Sequence, residues 1–208
     1  MKKKHIIAIL LALFCALGTA AYFFFESMVI DRTFELARVK LKNLAVKALD
    51  DAGDKAVLKC GGSSDFMVIE KNSEGNISLV TSNSKLLNDV ASLTLKYAQE
   101  NIGNMASSVT IPLGAALGST FFSESGPKIT VNIYMQGYLS TNFNTEIKAV
   151  GINQTWYRLY MDISADLRMS LGRKSRTESV ENPYLLSECI ILGKVPGSFY
   201  SGKMFSPD

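Results

Sequence analysis

The sequence predicts an α+β fold: an N-terminal transmembrane helix, then one domain of mostly antiparallel sheet with one or two packed helices. Three observations predict it. Residues 6–25 form a run without a single charge. Two later stretches repeat apolar residues at three and four, the spacing of one helix face. The second half alternates apolar and polar residues, as strands with one covered face do.

The chain opens with a basic tail, 1–5, followed by the apolar segment "IIAILLALFCALGTAAYFFF". Twenty helical residues rise about 30 Å, which matches the hydrocarbon layer of a bilayer. A cleaved signal peptide is the competing reading, with "GTAA" offering small residues at a cleavage point. The run nevertheless continues through Tyr22 to Phe25, and aromatic residues there suit a membrane interface. A lipoprotein site at Cys15 is disfavoured because Phe14 stands where a small residue is expected. Lys2, Lys3 and Lys4 lie before the span, and Glu26 and Asp31 follow it. The tail is therefore expected in the cytoplasm and residues 26–208 on the far side of the membrane.

The net charge of +3 comes from 22 Lys and Arg against 19 Asp and Glu. Three of those lysines are in the tail, so the remainder is balanced and gives no reason to expect nucleic-acid binding. Cys60 and Cys189 fall on the extracytoplasmic side, where a bridge between them is chemically permitted, although two inert thiols are the default.

Each element of the domain has its own signal. Residues 26–52 read as a helix continuing from the anchor, with Phe34, Ala37, Leu41, Leu44, Ala45 and Ala48 on one stripe; "DDAG" and then "CGGSS" are expected to end it. "FMVIEKNSEGNISLVTSN" reads as a hairpin around "KNSEGN". A helix is expected over 84–102, with Asn83 or Ser84 as cap and Gly103 as stop. In "KITVNIYMQGYLSTNF" Ile129, Val131, Ile133 and Met135 share a face. In "WYRLYMDISADL" Tyr157, Leu159, Met161, Ile163 and Ala165 do the same. "GRKSRTESVEN" reads as a solvated loop or strand end, and the more uniformly apolar "YLLSECIILGKVP" as a central strand.

Much chemistry is excluded by composition. The single histidine is His5, in the tail. The domain thus has no Ser-His or Cys-His pair and no histidine-containing zinc site, and two cysteines are too few for a thiolate one. No phosphate loop is present, and no cofactor or metal is expected. Glu124, Glu146, Asp162, Asp166, Glu178 and Glu188 stand singly, so nothing in the sequence marks two carboxylates as partners, and no catalytic residue is expected.

What stands out is a set of shape-setting residues. "IPLGAALGS" and "SESGPKI" place Pro112, Gly114, Gly118, Gly126 and Pro127 around short apolar pieces. The glycines permit positive φ or close backbone approach, while the prolines fix φ. "GINQT" adds Gly151, Asn153, Gln154 and Thr155 before a strand, with Ile152 as an anchor for the loop. Its amides suit the exposed backbone groups of a strand start; contact with a partner is the other reading.

The order "IPLG…GS…GPKI…GINQT…SECIILGKVP", behind an N-terminal membrane helix, resembles the YunB family of sporulation proteins of endospore-forming bacteria. The resemblance runs from about residue 30 to about 200. Two departures preserve a strand: Tyr157 stands where histidine is frequent, and Cys189-Ile190 where Thr-Val is usual. The resemblance implies a role in spore formation for a membrane protein made in the mother cell, and it carries no catalytic residues to this chain.

The expected function is accordingly a membrane-anchored, non-enzymatic sporulation protein that binds a spore-envelope protein or lipid. One alternative is a carrier of lipid or another hydrophobic ligand, suggested by Met135, Tyr138, Phe143, Met161 and Met169. A less favoured one is an envelope hydrolase using paired carboxylates.

Overall fold

A computed structural model describes residues 2–75, 77–151 and 154–192, with residues 2–10 described by their backbone alone. Helix α1 spans Lys2–Lys59 without interruption, carrying the apolar segment directly into the folded part. From Leu11 onward it includes a stretch long and apolar enough to cross a membrane, none of it buried within the protein. Beyond that stretch one side of α1 is covered: Phe34, Ala37, Leu41, Ala45, Ala48, Leu49, Ala52 and Ala56 are buried. The alanines keep this stripe narrow and let neighbours approach the helix backbone closely. Leu49 takes the place expected for Leu44, which is 37% exposed.

The end of α1 lies further on than the sequence suggested. The helix passes through Gly53 and stops only before Gly61 and Gly62, whose φ values of +104° and +112° no helix tolerates. The Gly62 N–H then bonds the Val57 carbonyl at 3.2 Å, capping one of the last free acceptors. A 3-10 turn, Ser63–Phe66, leads to strands β1 (Met67–Lys71) and β2 (Ile77–Ser82). They pair antiparallel, from Met67 with Ser82 to Lys71 with Ile77, with a bulge at Glu70/Lys71.

Helix α2 covers Ser84–Asn104. Asn83 caps it, its Oδ1 accepting the Leu86 N–H at 3.3 Å. Gly103 lies inside the last turn and does not stop it. The buried line is Leu87, Val90, Thr94, Ala98 and Ile102. Strand β3 (Ser108–Pro112) and the one-turn helix α3 (Leu113–Ala116) follow, and then three long strands: β4 (Lys128–Gly151), β5 (Gln154–Leu171) and β6 (Lys174–Leu192).

These four strands form one sheet in the order β3-β4-β5-β6. Strands β3 and β4 pair antiparallel, Ser108 with Asn132 through Pro112 with Lys128. Strands β5 and β6 are joined by only Gly172 and Arg173, Gly172 having φ +58°, a connection so short that strands side by side must run antiparallel. In β5 Leu159, Met161, Ile163, Ala165, Leu167 and Met169 are all buried, so the period-two reading holds along most of its length. Burying side chains of this size contributes roughly 1.5–3 kcal/mol each.

One expectation for β6 is corrected. It lies at the edge of the sheet, not its centre, and Leu185, Ile190 and Leu192 are exposed. Of the two readings left open for the basic stretch at its start, the strand end is the one found: it is strand from Lys174 onward, and its charges meet those of α1. Arg176 Nη2 reaches Asp31 Oδ1 at 2.7 Å, and Glu178 Oε1 accepts Arg38 Nε at 2.7 Å.

The chain divides into two compact units, each taking part of α1 and part of the long strands. The first comprises 1–47, 103–138 and 165–180; the second comprises 48–102, 139–164 and 181–208. In the first, the Lys40 ammonium also donates to the Thr110 carbonyl of β3 at 3.2 Å. In the second, Asn101 of α2 donates to the Ala48 carbonyl at 2.9 Å, and Asn182 Nδ2 donates to Asp50 Oδ1 at 2.6 Å.

Candidate functional site

Five of the shape-setting residues close one loop in the first unit. Pro112, with φ −63° and ψ 142°, ends β3 and starts α3. The chain then returns so that the Leu113 N–H bonds Pro127 O at 2.9 Å and the Gly114 N–H bonds Ser125 O at 3.1 Å. Gly114 is buried where a Cβ would overlap the Phe122 carbonyl and come within 2.9 Å of Ser125 O. Gly118 (φ +74°) and Gly126 (φ +93°) hold left-handed conformations, and a Cβ on Gly118 would strike the Arg32 guanidinium. The loop is thus fixed by backbone bonds that only glycine permits. It projects Phe121 and Phe122, which are 94% and 65% exposed.

The second group stands at the start of β5. Gln154 is its first residue, and Gly151 ends β4 with φ outside the left-handed region. A Cβ on Gly151 would lie 3.6 Å from Gln154 Oε1, an ordinary contact. Thr155 is half-buried; Ile152 and Asn153 lie outside the described residues. The structure therefore gathers Pro112, Gly114, Gly118, Gly126 and Pro127 in the first unit, while Gly151, Gln154 and Thr155 belong to the second.

From Gln154 onward the alternate residues of β5 carry the chemistry that the sequence did not assemble. Trp156, Arg158, Tyr160 and Asp162 share the face opposite Leu159 and Met161, and all four are half-buried. The Arg158 guanidinium carbon lies 3.3 Å above the Trp156 ring centroid. Arg158 Nη1 donates to Glu146 Oε2 at 3.3 Å, and Glu188 Oε2 stands 3.4 Å from Arg158 Nε. The second contact is electrostatic only, since the buried Nε makes no hydrogen bond. Tyr160 donates to the same Glu146 oxygen at 3.5 Å. Partial burial draws the Arg158 pKa down, but the bond to Glu146 and the neighbouring Tyr160 raise it overall, so the guanidinium stays charged.

Beside this group is an open hollow of about 530 Å³, lined by Asn144, Thr145, Glu146, Tyr160, Asp162 and Pro183. Two carboxylates, an amide and two hydroxyls face it, a set that both accepts and donates hydrogen bonds. Among the described residues no three His, Cys, Asp or Glu side chains converge to hold a metal ion. Of the residues suggestive of a hydrophobic ligand, Met161 and Met169 are buried, whereas Met135 is 42% and Tyr138 85% exposed.

A third cluster holds β6 to α1. Tyr184 donates to Asp54 Oδ1 at 2.7 Å, and its ring occupies the space over Gly53, where a Cβ would be 2.7 Å from the ring edge. Burial, then the bond to the Asp54 carboxylate, pushes the Tyr184 phenol above its usual range. Cys60, Cys189 and Cys15 are free thiols. Burial raises the pKa of both Cys60 and Cys189, with nearby Asp89 adding to the effect at Cys60.

Comparison with known proteins matches residues 108–198 to the family model of sporulation protein YunB. The chain is also similar to the sporulation protein YunB of Bacillus subtilis (strain 168), at 20% identity over 210 residues, covering 96% of this chain and 82% of that protein. No solved structure matches. The matched region holds β3 to β6, both signature clusters and the Trp156–Arg158 face, and it is over this region that the chain is similar to the sporulation protein YunB family.

Proposed function

We propose that the protein is a non-enzymatic, membrane-anchored participant in spore formation, and that the hollow beside Arg158 binds a component of the spore envelope. One observation carries the reading. Arg158 is stacked on Trp156 and clamped by Glu146 and Glu188, so the face is pre-shaped and its central charge is already neutralised. Such a face suits recognition by shape and hydrogen bonding, with Asn144, Tyr160 and Asp162 as contact groups and a hydroxyl-rich or cationic group as occupant. Membrane attachment through α1, with the tail in the cytoplasm of the mother cell and the sheet outside it, puts the hollow where envelope material is laid down.

A photo-crosslinking residue in place of Thr145, introduced into the full chain in sporulating cells, tests this. The expected result is one discrete envelope adduct that Asp162→Ala abolishes; no adduct, or one insensitive to that substitution, contradicts the reading.

The position of Glu146 and Asp162 on one hollow supports a second reading, a carboxylate hydrolase. Incubating the purified chain with peptidoglycan distinguishes the two, since binding alone releases no fragments. Turnover lost in Asp162→Asn would favour hydrolysis.

A further inference from the structure

The apolar segment of α1 and the closed loop after β3 meet on one surface of the first unit. Phe25, Val29 and Ile30 of α1 line a groove of about 380 Å³ together with Leu113, Ile129 and Leu171, the last three from the start of α3, β4 and the end of β5. Leu113 opens the glycine-fixed loop, and Leu171 immediately precedes the Gly172-Arg173 turn. Further along the loop, Gly118 lies against Arg32. The residues of α1 that touch this surface therefore run from Tyr22 to Thr33.

That position fixes its depth relative to a membrane. If the uncharged run 6–25 fills the hydrocarbon layer, Arg32 lies about 10 Å beyond its boundary, at ~1.5 Å per residue. The headgroup layer on each side of a bilayer is itself several ångströms thick. The groove thus straddles the hydrocarbon edge, and the loop begins within headgroup reach. What the loop presents there is apolar: Phe121 at 94% exposure, Phe122 at 65% and Leu117 at 38%. Two adjacent phenylalanines on a rigid loop are costly to hold in water, and no described residue of the first unit covers them.

Charge around the same surface is of the matching kind. Lys128, Arg173, Lys174 and Arg168 are exposed, the last bonded through Nη2 to Ser175 Oγ at 2.7 Å. Of the acidic groups nearby, Asp31 and Glu35 are ion-paired with Arg176, leaving Glu26 and Glu124 facing solvent or headgroups. Apolar aromatics flanked by cations are the composition of a surface that rests on anionic lipid.

We propose that this face docks on the bilayer that anchors α1, Phe121 and Phe122 entering the headgroup–acyl boundary and Lys128, Arg173 and Lys174 contacting anionic headgroups. The occupant is the lipid surface itself, because the groove is continuous with the spanning helix and so cannot leave the membrane's edge. Docking at a second point, added to the helix, restricts rotation of the first unit about α1. Glycine at 114, 118 and 126 then has a use beyond closing a turn: it makes a stiff wedge that keeps two aromatics aimed outward at no folding cost to the core.

The inference rests on residues 6–25 spanning the membrane, and the test separates the two claims. The full chain with Phe121→Trp is reconstituted in vesicles of phosphatidylcholine and phosphatidylglycerol carrying brominated acyl chains. The wild type, whose one tryptophan is Trp156, supplies the background. Carbonate extraction first reports whether the chain stays in the membrane; release overturns both claims. If it stays, the added tryptophan is expected to show blue-shifted emission that bromolipid quenches, and Arg173→Ser with Lys174→Ser to lower that quenching in phosphatidylglycerol vesicles but not in pure phosphatidylcholine. Water-like, unquenched emission from a retained chain overturns the docking proposal alone. Emission that is blue-shifted only at high protein density, without quenching, identifies a second copy as the occupant and overturns it equally. Because Phe121 is almost fully exposed, its replacement leaves the fold intact.

Discussion

Arg158 lies over Trp156, its guanidinium carbon 3.3 Å from the ring centroid, while Glu146 and Glu188 both stand within ion-pair distance of it. This arrangement depends on the planar fork of arginine. Arg158→Lys keeps the charge but loses the stacking and one of the two carboxylate contacts. It is expected to lower the melting temperature of the detergent-solubilised chain by a few degrees, and Arg158→Leu by more, since two neighbouring carboxylates are then left without the cation between them. Equal melting of both variants and wild type would show the cluster to be ornamental.

The glycines of the loop after β3 differ in what they tolerate. Gly114→Ala collides with the Phe122 carbonyl, a backbone group that cannot rotate away, and is expected to cost about 2–3 kcal/mol as overpacking. Gly118→Ala meets only the end of the Arg32 side chain and loses about 1 kcal/mol through its positive φ. Denaturant unfolding of the two variants side by side measures the difference; a larger loss at Gly118 would contradict this packing.

Gly53 is expected to resist substitution although it is in a helix. Alanine there gains about 1 kcal/mol of helix propensity but strikes the Tyr184 ring 2.7 Å away, and the net effect is expected to be a loss of roughly 1 kcal/mol. Gly53→Ala combined with Tyr184→Ala should be less damaging than the sum of the two. A double-mutant cycle reads this coupling directly.

Tyr184 also predicts a pH dependence. Its phenol is raised above the usual value of 10, by burial first and by Asp54 second. The neutral form is the one the fold prefers, so its contribution is complete below pH 10 and fades as the pH climbs from there toward the higher folded-state value. Tyr184→Phe should be less stable than wild type at neutral pH by about 1 kcal/mol, for the lost hydrogen bond. The gap should narrow in alkaline melts. A gap that widens in that range has the wrong sign.

Cys60 and Cys189 are free and their thiols are pushed up by burial. Alkylation of the native chain at neutral pH should therefore be slow at both, and become fast on unfolding. Mass spectrometry of iodoacetamide-treated protein checks it; rapid native labelling would mean thiolate character that the surroundings do not supply.

The sequence exposed those parts of the fold that depend on local period. Leu159, Met161 and Ile163 alternate, Leu87 through Ala98 recur at helical spacing, and Asn83 caps where a cap was expected. It hid what depends on distant partners. Gly53 looked like a helix stop because Tyr184, which needs the missing Cβ, comes from the last strand. "GRKSRTESVEN" left loop and strand end both open because the partners of Arg176 and Glu178 are on α1. The uniformly apolar end of β6 gave no period to read, and its edge position leaves Ile190 half in water. At the candidate site, Glu146 and Glu188 appeared solitary in sequence, and only pairing of β4, β5 and β6 brings both to Arg158.

The most direct measurement is the yield of heat-resistant spores from cells in which the native gene is replaced by an Asp162→Ala, Tyr160→Phe variant. Both residues line the hollow, and neither belongs to the buried face of β5. If the hollow binds an envelope component, heat-resistant spores fall toward the level of the deletion strain while membrane amount and melting temperature of the protein stay at wild-type values. Wild-type spore yield from that variant, with the deletion strain defective, would contradict it.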